Sequence, residues 1–185
     1  FYYDVIINES LRLGELVKNL LELAVLENGM EKTSKEEIDL AELVSWVVSK
    51  YNVFCEEKGI HLQTNIERDI LVEGDAFYLE QAIKNFIDNA INHTESSKNI
   101  VIRLEAATEN ARFSVYNEGP TVASEELERI WDSFYKADKS HTYTDEVHSG
   151  LGLHIVKTII TKHGGAFGAI SGAEGMEFWF ELPKQ

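Results

Sequence analysis

Cysteine is almost missing from this chain of 185 residues: Cys55 stands alone. That excludes a disulfide framework and a thiolate metal cluster, and it fits a reducing, cytoplasmic setting. Basic residues are also short, 17 against 32 acidic ones, which leaves a formal charge of -15. Such a surface repels a phosphate backbone instead of gaining counterion-release energy from it, so a general nucleic-acid binder is excluded. No apolar run reaches the roughly 18 residues that span a bilayer, and the opening FYYDVIINES lacks the basic region and cleavage site of a signal peptide. This stretch is therefore not membrane-embedded. The opening also lacks a methionine and a helix cap, so the chain reads as a piece of a longer protein that begins inside a helix. Repeats and low-complexity segments are absent. What is present, 44% apolar and 26% charged residues, suffices for one good core and an appendage.

The appendage comes first. Ile6, Leu13, Leu16, Leu20 and Leu23, widened by Leu11, Val17, Leu21 and Val25, form the stripe of a coiled-coil or bundle helix. Gly29 stops it, giving a unit over residues 1–30, a polar linker over 31–37 and a second domain over 38–185. Asp39 and Glu42 form a capping-box pattern that opens a helix running to Lys58-Gly59. Alternation over Ile60–Ile66 and a short run at Ile70–Val72 predict strands, and Gly74-Asp75 opens another helix ending near His93. A hairpin over Ile100–Ala106 and Ala111–Tyr116 turns at Thr108-Glu109-Asn110. After a long irregular stretch come a helix over Leu151–Lys162 and strands over Ala166–Ser171 and Met176–Leu182.

Two segments of this pattern point to chemistry. In the helix ending near His93, Leu79, Ile83, Phe86, Ile87 and Ala90 share the core face, and Asn85, Asn89, Asn92 and His93 lie opposite. Asparagine is a poor helix former, so three of them at i, i+4 and i+7 cost propensity without serving the core. A carboxamide oxygen suits Mg²⁺ and its NH₂ group suits phosphate oxygens, although a solvated polar face would look similar. In Ser149-Gly150-Leu151-Gly152-Leu153 the glycines sit where a loop meets a helix N-terminus, a place for an anion or simply a turn. The polar stretch Tyr135–His148 before it reads as a lid over a ligand or as an exposed loop.

Taken together, these segments make the chain resemble the catalytic, ATP-binding part of bacterial sensor histidine kinases, in the GHKL group with gyrase and mismatch-repair ATPases. Asn85-x-x-x-Asn89 resembles the N box, Asn117-Glu118-Gly119 the first glycine box, Trp131-Asp132-Ser133-Phe134-Tyr135-Lys136 the F box, and Gly150-Leu151-Gly152-Leu153 the second glycine box. Phe178-x-Phe180-x-Leu182-Pro183 resembles the last strand of that domain. The resemblance implies an α/β fold: a two-layer sandwich of a mixed sheet and three helices, of the Bergerat type, preceded by a long N-terminal helix.

By the same resemblance Asn89 ligates Mg²⁺, Asn85 contacts the phosphates or supports the metal, and Lys136 reaches the γ-phosphate from the lid. Gly150, Leu151, Gly152 and Leu153 cradle phosphates through their backbone, with Asn92, His93 and Val122 also lining the ATP site. Asn117 takes the place of an aspartate that accepts from the adenine amine, and Gly119 lets the backbone approach the base. Trp131 and Phe134 read as core or lid-hinge aromatics before ligand contacts. Other departures from the family pattern are Thr121, His148 and Met176, with Asn92 at a usual lysine.

The first helix resembles the second helix of the dimerisation and phosphotransfer hairpin, which implies a homodimeric, membrane-anchored parent. No histidine precedes His61, and neither His61, His93, His141, His148, His154 nor His163 has an acceptor's sequence context, so the phosphoacceptor helix is expected outside this chain. The implied activity is transfer of the ATP γ-phosphate to that histidine, for relay to the receiver-domain aspartate of a response regulator. A non-catalytic dimerisation or interaction module of the same fold, insensitive to ATP or ADP, is the alternative.

Overall fold

The computed structural model describes residues 35–135 and 150–185, together with Tyr2, Tyr3, Ile6, Ile7, Ser10, Leu13, Gly14, Val17, Leu20, Leu21 and Ala24. Each of those early residues is helical, as the stripe predicts, and their large apolar side chains are exposed. From there the chain runs through strand β1 (Glu36–Asp39), helices α1 (Leu40–Ser49) and α2 (Asn52–Lys58), and strands β2 (His61–Ile66) and β3 (Leu71–Gly74). Helix α3 (Ala76–Asn92) leads into the hairpin β4 (Asn99–Ala106) and β5 (Asn110–Glu118). Two single 3-10 turns, Ser124–Glu126 and Arg129–Trp131, precede helix α4 (Gly152–Lys162) and strands β6 (Ala166–Ser171) and β7 (Gly175–Pro183).

Five strands form one sheet in the order β2-β4-β5-β7-β6, parallel between β2 and β4 and antiparallel elsewhere. One face is apolar because alternate residues point the same way: Ile100, Ile102 and Leu104, then Ala111, Phe113 and Val115, then Phe178, Phe180 and Leu182 are all buried. The buried stripes of α1 (Leu40, Val44, Val47), α3 (Leu79, Ile83, Phe86) and α4 (Ile155, Val156, Ile159) join that face in a single core. This is the expected two-layer α/β sandwich. Phe86 is its hub, with ring centroids 5.9 Å from Phe178, 6.0 Å from Phe180, 6.3 Å from Trp131 and 6.4 Å from Phe113.

Two elements differ from the sequence reading. The single helix expected from Asp39 to Lys58 is two, because Lys50 and Tyr51 donate to Val47 O and Val48 O in tightened turns before Cys55 N–H restarts the ladder on Tyr51 O. The break carries Tyr51 to α3, where its hydroxyl bonds Asp88. Burial and that carboxylate together push the phenol far above its ordinary value. The second difference is β1. Glu36 and Glu37, read as linker, pair with Gly74 and Glu73 of β3, because Ile38 is buried opposite Val72. The cap itself is as read: Asp39 Oδ1 accepts from the N–H groups of Ala41 and Glu42.

His163, at the end of α4, fastens that helix to the start of α3. Its Nδ1–H donates to Ile159 O at 2.8 Å, and Nε2 accepts from the Asp75 N–H at 3.0 Å. Burial pushes its pKa below the ordinary 6.5, and a proton on Nε2 would meet the Asp75 N–H and cost that bond. With the folded value depressed, the unfolded chain binds the proton first as pH falls. The stability from this histidine is therefore complete above about pH 7 and declines as pH drops through about 6.5 towards the lower folded value. Urea unfolding at pH 7.5 and 5.5 checks this: His163→Asn is expected to lose less stability between the two than the wild type, and an equal loss refutes it.

Candidate functional site

Helix α3 commits Phe86, Ile87 and Ala90 to the core and leaves Asn85 and Asn89 half-buried on another side. Asn85 Nδ2 donates to Gln81 O at 2.9 Å, which leaves Oδ1 to point away from its own helix. That oxygen lies 3.0 Å from where a Cβ on Gly152 would stand, so the glycine admits the start of α4 onto the carboxamide side of α3. The two segments singled out in the sequence meet here. Helices α1 and α3 are capped by the side chains of Asp39 and Asp75, whereas Leu151 gives α4 no side-chain cap. The leading N–H groups of α4 and the positive end of its dipole suit an anion. The Leu151 side chain is buried in the core.

Gly150 is left-handed, with φ +69°, and a Cβ there would meet Phe134 backbone atoms at 3.0 Å. The Phe134 N–H donates to Gly150 O at 3.0 Å, so the F box and the second glycine box are bonded to each other. The neighbouring contact, His154 Nδ1 to Trp131 O at 3.0 Å, places the imidazole proton on Nδ1, since a carbonyl only accepts. Trp131 is buried, its ring 4.7 Å from that of Phe167, and acts as a core residue. Phe134 is not core: it is 55% exposed and turns the chain at φ 64°. Lys136 and His148 lie outside the described residues.

On the sheet, β5 presents Asn117 on the inner face, between Ile100 of β4 and Met176 of β7. It is 1% exposed, and neither Nδ2 nor Oδ1 has a hydrogen-bond partner among the described residues. Leaving a buried polar group unpaired costs about 1–3 kcal/mol, so the carboxamide is suited to a ligand that supplies the partner. Backbone closes around it. Gly119 N–H donates to Glu174 O at 3.1 Å, and a Cβ on Gly119 would stand 2.2 Å from His93 O. Thus His93 contributes its carbonyl here, while its side chain is exposed. Asn92 and Val122 are half-buried nearby in sequence, Val122 against the core. The sequence reading missed Glu174-Gly175, although a glycine opening the last strand was a signal: its Cβ would fall 2.1 Å from Asn117 O.

The unpartnered buried amide on β5 and the start of α4 without a side-chain cap suit the base and the phosphates of a nucleotide, and comparison with known proteins points to an ATPase family. Residues 74–185 match the family of histidine kinase-, DNA gyrase B- and HSP90-like ATPases. The chain belongs to that family. Within it, the chain is 32% identical to the sensor histidine kinase CusS of Escherichia coli O157:H7, over 97% of this chain and 37% of that protein. It is 28% identical to the sensor protein DltS of Streptococcus agalactiae, over 98% of this chain and 46% of that one. It therefore spans less than half the length of these relatives. Full-length ShkA in complex with AMPPNP superposes with a TM-score of 0.82 and 30% identity, over 99% of this chain and 38% of that one. The histidine kinase ThkA in complex with a response regulator gives 0.79 and 28%, over all of this chain and 51% of that one. Members of this ATPase family bind ATP, and the orphaned carboxamide, the close-packed glycines and the start of α4 fit a nucleotide.

Proposed function

We propose that this chain is the ATP-binding catalytic portion of a two-component sensor histidine kinase, which phosphorylates a histidine on a helix outside the chain. The observation that supports it most directly is Gly152 against Asn85, which sets the start of α4 beside the carboxamide side of α3. Asn89 offers an oxygen to Mg²⁺, Asn85 supports the phosphates, the backbone from Gly150 to Leu153 cradles them, and Lys136 supplies the lid cation. Asn117 and Gly119 take the base. The metal, when bound, neutralises charge on the phosphate oxygens. The chain's own work is to hold the nucleotide in line with the incoming imidazole. An imidazole nitrogen then forms the P–N bond as the P–O bond to ADP breaks, and the phosphoryl group passes to an aspartate of a response regulator.

The exposed apolar stripe on the early helix is the homodimer seam of a membrane-anchored parent whose kinase portion is cytoplasmic; no described helix is long and apolar enough to cross a membrane. A separate polypeptide carrying the acceptor helix, mixed with this chain and Mg-ATP, is expected to gain an acid-labile phosphoryl group on its histidine. No transfer from a chain shown to bind Mg-ATP, even when the hairpin is fused to it, would sink the kinase reading.

A further inference from the structure

We propose that Asn117 lets the base pocket take 6-oxopurine nucleotides about as readily as 6-aminopurine ones, an inference that rests on the nucleotide-site reading above. The chemistry lies in the amide. A carboxylate only accepts hydrogen bonds, so it suits the amine of adenine and repels a carbonyl oxygen in its place. A carboxamide carries an acceptor on one side and donors on the other. It meets the adenine edge, an amine donor beside the N1 acceptor, in one orientation, and the 6-oxopurine edge, a carbonyl acceptor beside an N1–H donor, after a half turn about Cβ–Cγ.

That half turn is open only if nothing in the protein holds the amide, and this sets Asn117 apart from Asn85 and Asn99. Asn85 Nδ2 is committed to Gln81 O at 2.9 Å and Asn99 Nδ2 to Glu118 Oε1 at 2.8 Å, so each of those amides has one preferred orientation. Asn117 is buried at 1% exposure with both side-chain polar atoms unpartnered among the described residues. Its cross-strand neighbours on the inner face, Ile100 and Met176, are apolar. The nearby Gly119 N–H is already given to Glu174 O. Among the described residues nothing in this surrounding prefers oxygen or nitrogen on either side, so the incoming base sets the orientation.

The test uses calorimetric titration of the chain with Mg-ADP and Mg-IDP, since IDP differs from ADP only in this edge. The wild type is expected to bind the two within about tenfold of each other, and Asn117→Asp to keep ADP while widening the preference against IDP by at least about a hundredfold. A wild-type preference for ADP beyond about tenfold overturns the inference and leaves the nucleotide site standing. The same ratio in the wild type and a folded Asn117→Asp removes Asn117 as its cause and also overturns it. If the aspartate variant fails to fold by circular dichroism, the wild-type ratio alone decides. Absence of saturable binding by either nucleotide overturns the site reading together with this one.

Discussion

Asn89→Ala is expected to abolish magnesium-dependent nucleotide binding while leaving the far-ultraviolet circular dichroism unchanged. The two halves of that expectation come from different features of α3. Asn89 is half-buried and away from the core stripe of Phe86, Ile87 and Ala90, and alanine is the better helix former by a few tenths of a kcal/mol, so the fold loses nothing. In the proposed site, by contrast, Asn89 is the side chain that gives the metal its oxygen. Titration of Mg-ADP with and without a chelator reads the effect. The wild type should weaken sharply when magnesium is removed, and the variant should bind at least about a hundredfold more weakly with magnesium and show no further change without it. Unchanged Mg-ADP affinity in the variant would remove Asn89 as the metal ligand.

Phe86→Ala, one residue from Asn85 but on the core face of the same helix, should do the reverse and fail through the fold. Phe86 is fully buried and lies within 6.4 Å, ring to ring, of Phe113, Trp131, Phe178 and Phe180. Truncation leaves a cavity that these rings, held on β5, β7 and the turn before α4, can only partly close. The cost is about 3–5 kcal/mol. Scanning calorimetry should therefore show the melting temperature lowered by about 10 °C. A shift under about 3 °C would mean that the aromatic cluster repacks freely around the gap.

The contrast between these two positions was legible in the sequence because helical periodicity separates them. So were the caps at Asp39 and Asp75, the hairpin around Glu109 and the glycines before α4, since each depends on residues close in the chain. What escaped depends on distant partners. Strand β1 has a single buried apolar residue, Ile38, and shows as a strand only once Val72 lies opposite. The break between α1 and α2 answers to Asp88 on α3, thirty-odd residues away. At the site, sequence could say that Asn117 stands in for an aspartate. Its isolation is a property of the sheet register, which places Ile100 and Met176 beside it. The contributions of the His93 carbonyl and of Glu174-Gly175 are backbone contacts that no side-chain motif announces.

The fastening of His163 to Asp75 also has a mechanical side. It ties the far end of α4 to the near end of α3, while Gly152 and Asn85 face each other at the opposite end of α4. An arm of 11 residues is about 16 Å long. With one end pinned, a swing of only about ten degrees would carry Gly152 through roughly 3 Å, enough to part it from the Asn85 carboxamide. In the proposed site, torque applied to this pair of helices would thus change the width of the gap between Gly152 and Asn85, where the phosphates are proposed to lie.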